Sequence, residues 1–161
     1  MSPMTSSRRA EVTLPSSTQI QITRAFDAPR HLVYRAWTEP DLVRRWWTAK
    51  RGEMTVAEID LRVGGHWRYA MLAHGEFEVA FHGEYLEIVP GERLVVTEIY
   101  EGMPDAVATT TTTFEQLDGQ TLVTILVDHT SQAHRDAHVE SGMEDGLQDA
   151  MDLLEGVVAT L

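Results

Sequence analysis

His129 ends the run Val123, Ile125, Val127, His129, in which every second residue up to it is apolar. If that parity faces an interior, the imidazole stands at one end of an apolar space, where it can polarise a carbonyl or pass a proton. The plainer alternative is a strand-end histidine hydrogen-bonded near the surface. His82, Glu84, Glu98 and Arg68 are the other polar side chains on strand-like segments, and His82 is the second catalytic candidate. No nucleophile elbow, glycine-rich phosphate loop or paired-carboxylate spacing accompanies them. His134 and His138, four apart on a helical segment, lack the glutamate of a zinc-protease motif and a third ligand, so they read as solvated face. Neither metal nor cofactor is expected.

A second kind of chemistry, enclosure of an apolar molecule, is suggested by "RRWWTAK" at residues 44–50. It sets two of the chain's four tryptophans side by side among Arg44, Arg45 and Lys50. Ordinary core, a membrane-surface anchor and the rim of a cavity all fit such a segment. The formal charge of -12 opposes anionic lipid and nucleic-acid phosphate, so neither membrane nor nucleic acid is an expected partner. Trp46 lies four residues after Leu42 on one helical side and should enter the core. Trp47 points about 100° away, toward the loop that follows, and should roof an opening.

The elements that must carry these residues are legible as patterns. "QIQITRAF" (19–26) alternates with period two, a strand with one face in the core. "DAPRHLVYRAW" and "EPDLVRRWW" each combine a proline start with helical apolar spacing, giving two short helices. Six β-rich runs follow: 53–60, 65–73, 77–88, 93–101, 106–116 and 120–129, separated by turn signals such as "PGE" and "LDGQ". The five threonines at 109–113 suit a strand but leave its register open. The last stretch is an amphipathic helix, with Leu147, Ala150, Met151, Leu154, Val157 and Val158 on one side. Gln148 and several acids lie on the other, read as water-facing. A piece over "QAHRDAHVE" precedes it, broken near Gly142.

Residues 1–18 read as a flexible tail and 19–161 as one α+β domain: a seven-stranded curved antiparallel sheet gripping the long C-terminal helix, with two short helices after the first strand. The chain has no cysteine, which excludes disulfides and thiolate chemistry. With no signal-like leader and no long apolar run, a cytoplasmic protein is expected.

Two features hint at unfilled volume. After Gly83 the apolar residues change parity, as at a β-bulge that bends a sheet. Gly142, Gly146 and Ala150 recur every four residues on the long helix, which leaves either a void or room for a strand to approach.

The blocks "FDAPRHLVYRAWTEPDLVRRWW", "VGGHWRY", "GEYLEIVPGERLVVTE" and "SGMEDGLQDAMDLLEGVV" together resemble the activator of heat-shock-protein-90 ATPase homologue-like family. That family lies within the START-like superfamily, which shares the fold of the birch-pollen allergen. The resemblance implies a helix-grip fold with an apolar pocket between sheet and helix. Superfamily members include lipid and hormone carriers, polyketide cyclases and co-chaperone domains, and the fold alone does not choose among them. Eukaryotic chaperone activators carry an additional N-terminal domain; only about eighteen residues precede the first strand here, so chaperone interaction is not expected.

The resulting expectation is a carrier or sensor that takes a small hydrophobic or aromatic molecule. Trp37, Trp67, Tyr69, Met71, Phe81, Met143, Leu147 and Met151 would line its site, with Trp46 and Trp47 near the entrance. A polyketide-cyclase-like or hydrolase-like enzyme in the same pocket and a co-chaperone-like interaction module are the alternatives. A homodimer through an edge strand such as the first remains open.

Overall fold

The computed structural model describes residues 9–161, so residues 1–8 of the expected tail lie outside the described residues. Strands β1 (Glu11–Thr13), β2 (Gln19–Phe26), β3 (Gly52–Ile59), β4 (His66–Ala73), β5 (Phe77–Val89), β6 (Arg93–Tyr100), β7 (Val107–Gln116) and β8 (Thr121–Asp128) form one sheet. Every neighbouring pair is antiparallel, in the order β1-β2-β8-β7-β6-β5-β4-β3. Helices α1 (Arg30–Thr38) and α2 (Pro40–Val43) follow β2, while α3 (Gln132–Glu140) and α4 (Met143–Val158) end the chain. The fold is the expected α+β helix-grip.

The sheet has eight strands rather than seven. The extra one, β1, is three residues long, too short for alternation to register, and it lies in the segment expected to be loose. It is pinned from two sides: Val12 pairs with Ile22, and Ala10 exchanges two hydrogen bonds with the Gln148 side chain on α4. Gln148 is therefore buried, which corrects its placement on a water-facing helix side. Because β1 covers β2, the expectation that the first long strand offers a free edge for a homodimer is also corrected. The sheet edges are β1 and β3.

Alternation in β2 puts Ile20, Ile22, Arg24 and Phe26 inward. The buried Arg24 guanidinium bridges Asp152 at 3.2 Å and Glu155 at 3.0 Å and lies over the Phe26 ring, fixing the C-terminal half of α4 to the sheet. Leu154, Val157 and Val158 complete that contact. At the other end of α4, Gly142 takes φ +84°, which reverses the chain out of α3 where a side chain would be strained.

The parity change after Gly83 is real, but the irregularity lies between Tyr85 and Glu87, where Leu86 is the extra, exposed residue. Gly83 serves a different need. The Trp67 indole passes over it to donate to the Thr97 carbonyl at 3.2 Å, and a Cβ there would collide with both.

Candidate functional site

A cavity of about 390 Å³ lies between the inner sheet face and α4. All ten residues expected to form it reach its wall, among them all four tryptophans of the chain. The two neighbouring indoles divide the work. Trp46 is 6% exposed and locked by an Nε1 hydrogen bond to the Ala36 carbonyl at 2.9 Å, deep against Trp37 rather than at the entrance. Trp47 turns the other way and meets Tyr69 and Phe81 edge-on at 5.5 and 5.7 Å, closing the space from the α2 side.

The loop after Trp47 adds Thr48, Ala49 and Arg51 to the wall. Ala49 and Lys50 both adopt left-handed backbone angles (φ 53° and 66°), costly for residues with a Cβ. Arg51 clamps the loop through the Ala49 carbonyl at 2.8 Å and Asp149 of α4 at 3.1 Å. Gly146 faces that guanidinium with only ordinary contact distance to spare, so its missing side chain leaves space and admits no closely packed strand.

Polar groups on the wall are few. Glu98 points in from β6 and accepts a hydrogen bond from the Thr110 hydroxyl at 3.2 Å. Its remaining exposure opens onto the cavity, and burial raises its pKa, opposed by that one hydrogen bond. Burial likewise raises the Tyr69 phenol. Tyr85, Thr110, Thr112 and His138 also reach the wall without having been singled out as lining residues. Tyr85 shares the parity of Phe81 and was hidden only by placing the break at Gly83 rather than after it.

The catalytic candidates are redistributed. His82 is on the outer sheet face, because Phe81 and Tyr85 on either side take the inward parity; its Nδ1 lies 2.9 Å from Glu101. Arg68, and then His82, hold Glu101 down at about 2. That cluster is an outer-face ion network remote from the cavity wall. His129 does face inward, but His138 stands in front of it, with Nε2 of His129 and Nδ1 of His138 3.0 Å apart. His134 turns instead to the Thr130 hydroxyl, so the i, i+4 histidines do not act together. Among the described residues no group of three or more His, Cys, Asp or Glu side chains could hold a metal.

Burial, and then His129, push His138 down to about 4, while burial, and then His134, lower His129. The unfolded chain takes up protons below its ordinary value of 6.5 that the folded chain refuses until near pH 4. Stability is therefore full above pH 6.5 and falls as pH drops through that window, by at most about 3 kcal/mol for His138. Glu98, with a raised folded pKa, works in the opposite sense and offsets part of the loss. Urea midpoints measured between pH 7 and 4.5 should drop less in His138→Gln than in the parent; equal slopes would refute this account.

No described helix is long and apolar enough to cross a membrane. Comparison with known proteins gives one family match, over residues 27–159, to the model described as Activator of Hsp90 ATPase homolog 1-like protein. Among similar solved structures, a Rhodobacter sphaeroides protein superposes with TM-score 0.88 at 24% identity, over 94% of this chain and 99% of that one. A Chromobacterium violaceum protein is 30% identical with TM-score 0.78, over 89% and 98% of the two chains. An Arthrobacter aurescens protein reaches TM-score 0.84 at 23% identity, over 94% and 92%. Comparison with curated proteins gives no match.

Proposed function

The chain belongs to the family of Activator of Hsp90 ATPase homolog 1-like proteins, and from that premise we propose that it binds a small hydrophobic or aromatic molecule between its sheet and α4, as a carrier or sensor. The observation that carries this reading is the cavity of about 390 Å³ with a predominantly aromatic and aliphatic wall. That volume falls in the range of roughly 300–1,000 Å³ usual for small-molecule sites, which combine an apolar lining with a few oriented polar groups. The methionines Met71, Met143 and Met151 on its wall can adapt to irregular partners.

Because all four tryptophans face the cavity, intrinsic fluorescence reports its occupancy directly. Titration with non-fluorescent aromatic and aliphatic compounds is expected to give a saturable blue shift or quench. A folded protein whose spectrum stays unchanged across the whole panel would end the proposal.

A proton-transfer enzyme in the same pocket is a second reading, favoured by the His129–His138 pair. It drops His82, keeps His129 as the partner of the wall residue His138, and requires turnover that disappears on His138→Gln while binding persists.

A further inference from the structure

Glu98 is unusual among the cavity groups because small residues flank it. On one side it pairs with Ala108 of β7; on the other the chain runs past Gly83, which presents no side chain. The Trp67 indole takes the space over Gly83, so the carboxyl group has an aromatic ring rather than a charged side chain on that side, and it is close enough to Tyr69 for its charge to act on that phenol. Its hydrogen-bond partner among the described residues is the Thr110 hydroxyl, which donates to Oε1.

Counter-charge is missing from its surroundings. The other ionisable groups that reach the wall and could carry positive charge are Arg51 and His138. Arg51 lies on the loop after Trp47 and is committed to Asp149 at 3.1 Å. His138 is held neutral near physiological pH by its burial. No cation therefore faces Glu98 within the cavity among the described residues. A carboxylate so placed is costly unless something positive comes to it. The wall around it suits a cation for a second, independent reason: tryptophan, tyrosine and phenylalanine faces attract positive charge, tryptophan most strongly, and more so when water is excluded. Trp67 and Tyr69 lie together at 4.9 Å, and Trp47 meets Tyr69 from above. The overall charge of -12 favours arrival of a cation from solution.

We propose that the molecule this cavity takes is a lipophilic amine, bound as its monocation with the ammonium between the Glu98 carboxylate and the aromatic wall. The inference rests on the binding reading above and narrows it. An apolar carboxylate would set like charges together in a low-dielectric space. A neutral alcohol could share a hydrogen bond with Glu98 but would leave the carboxylate without counter-charge. The raised pKa of the carboxyl fits this arrangement, because a bound ammonium favours the ionised form that burial disfavours.

Three probes that differ only at one end test the idea: 4-phenylbutylamine, 4-phenylbutanol and 4-phenylbutyrate, titrated by calorimetry and by tryptophan emission. The amine is expected to bind at least tenfold more tightly than the alcohol, and the carboxylate most weakly. Glu98→Gln, which can still accept from Thr110, should remove that tenfold advantage while leaving the alcohol within about twofold, and should improve binding of the carboxylate. If amine and alcohol bind alike, or if Glu98→Gln weakens both equally, the charge assignment is overturned and the binding reading survives. If none of the three saturates, the amine assignment falls, and the wider fluorescence panel above decides the binding reading. Should Glu98→Gln fail to fold, the ranking of the probes on the parent protein still decides.

Discussion

Gly146→Phe is expected to weaken binding of any molecule that saturates the tryptophan signal by at least about a hundredfold, close to 2.8 kcal/mol. The first atom of the new side chain is admitted without strain, since a Cβ at Gly146 meets only the Arg51 guanidinium at 3.8–3.9 Å. The ring beyond it has to lie where a ligand would, because the position is on the cavity wall in the first turn of α4. Stability should move the other way. Removing a glycine from a helix interior recovers roughly 0.5 kcal/mol, and filling apolar space adds contacts that were missing. A higher melting temperature together with lost binding would be the signature of a void kept open at the expense of stability. Unchanged affinity in a folded variant would mean that the ligand sits elsewhere.

The largest loss of stability is expected at Phe114, on β7. Its side chain is 2% exposed and receives the edges of Tyr34 at 5.4 Å and Trp37 at 5.6 Å, so a single ring joins the sheet to α1. Phe114→Ala removes that burial and leaves a hole, a combination that costs about 3–5 kcal/mol. Against a total of about 5–15 kcal/mol for a domain, this is a large fraction. Urea denaturation measures it, and a cost below about 1 kcal/mol would show that α1 collapses onto the gap. The effect also reaches the cavity: Trp37 loses its backing, and emission should shift to the red in the folded variant.

The same strand illustrates what a sequence discloses and what it withholds. Ala108 and Phe114 bracket the threonine run, and their burial settles a register that the run leaves ambiguous: Thr110 and Thr112 face inward. Long alternating or helical segments were legible because each buries a face with its own period; β2 and α4 are the clearest cases. What depended on contacts across the chain was not. β1 exists because Gln148, 138 positions away, supplies partners for Ala10. The bulge could be sensed near Gly83, yet its place at Leu86 is fixed by pairing with β6. The ten wall residues followed from strand parity and helix face. His138 escaped as a wall residue because α3 packs against α4 and brings it beside His129, contacts that helical spacing does not reveal. Glu98 was visible as a polar strand residue, but the lack of a cation facing it among the described residues is a property of the folded neighbourhood.

The paired hydrogen bonds between the Gln148 side-chain amide and the Ala10 backbone bear on how a ligand would get in and out. They rivet the long helix to a strap that is itself stitched into the sheet, and Arg24 bolts the same helix farther along. A hinge on that side is closed. The Ala49–Lys50 corner, in contrast, is wound against its own preference, like a latch under spring load. On the binding reading proposed above, ligand exchange should therefore be timed by the relaxing of that one short corner while the helix stays seated.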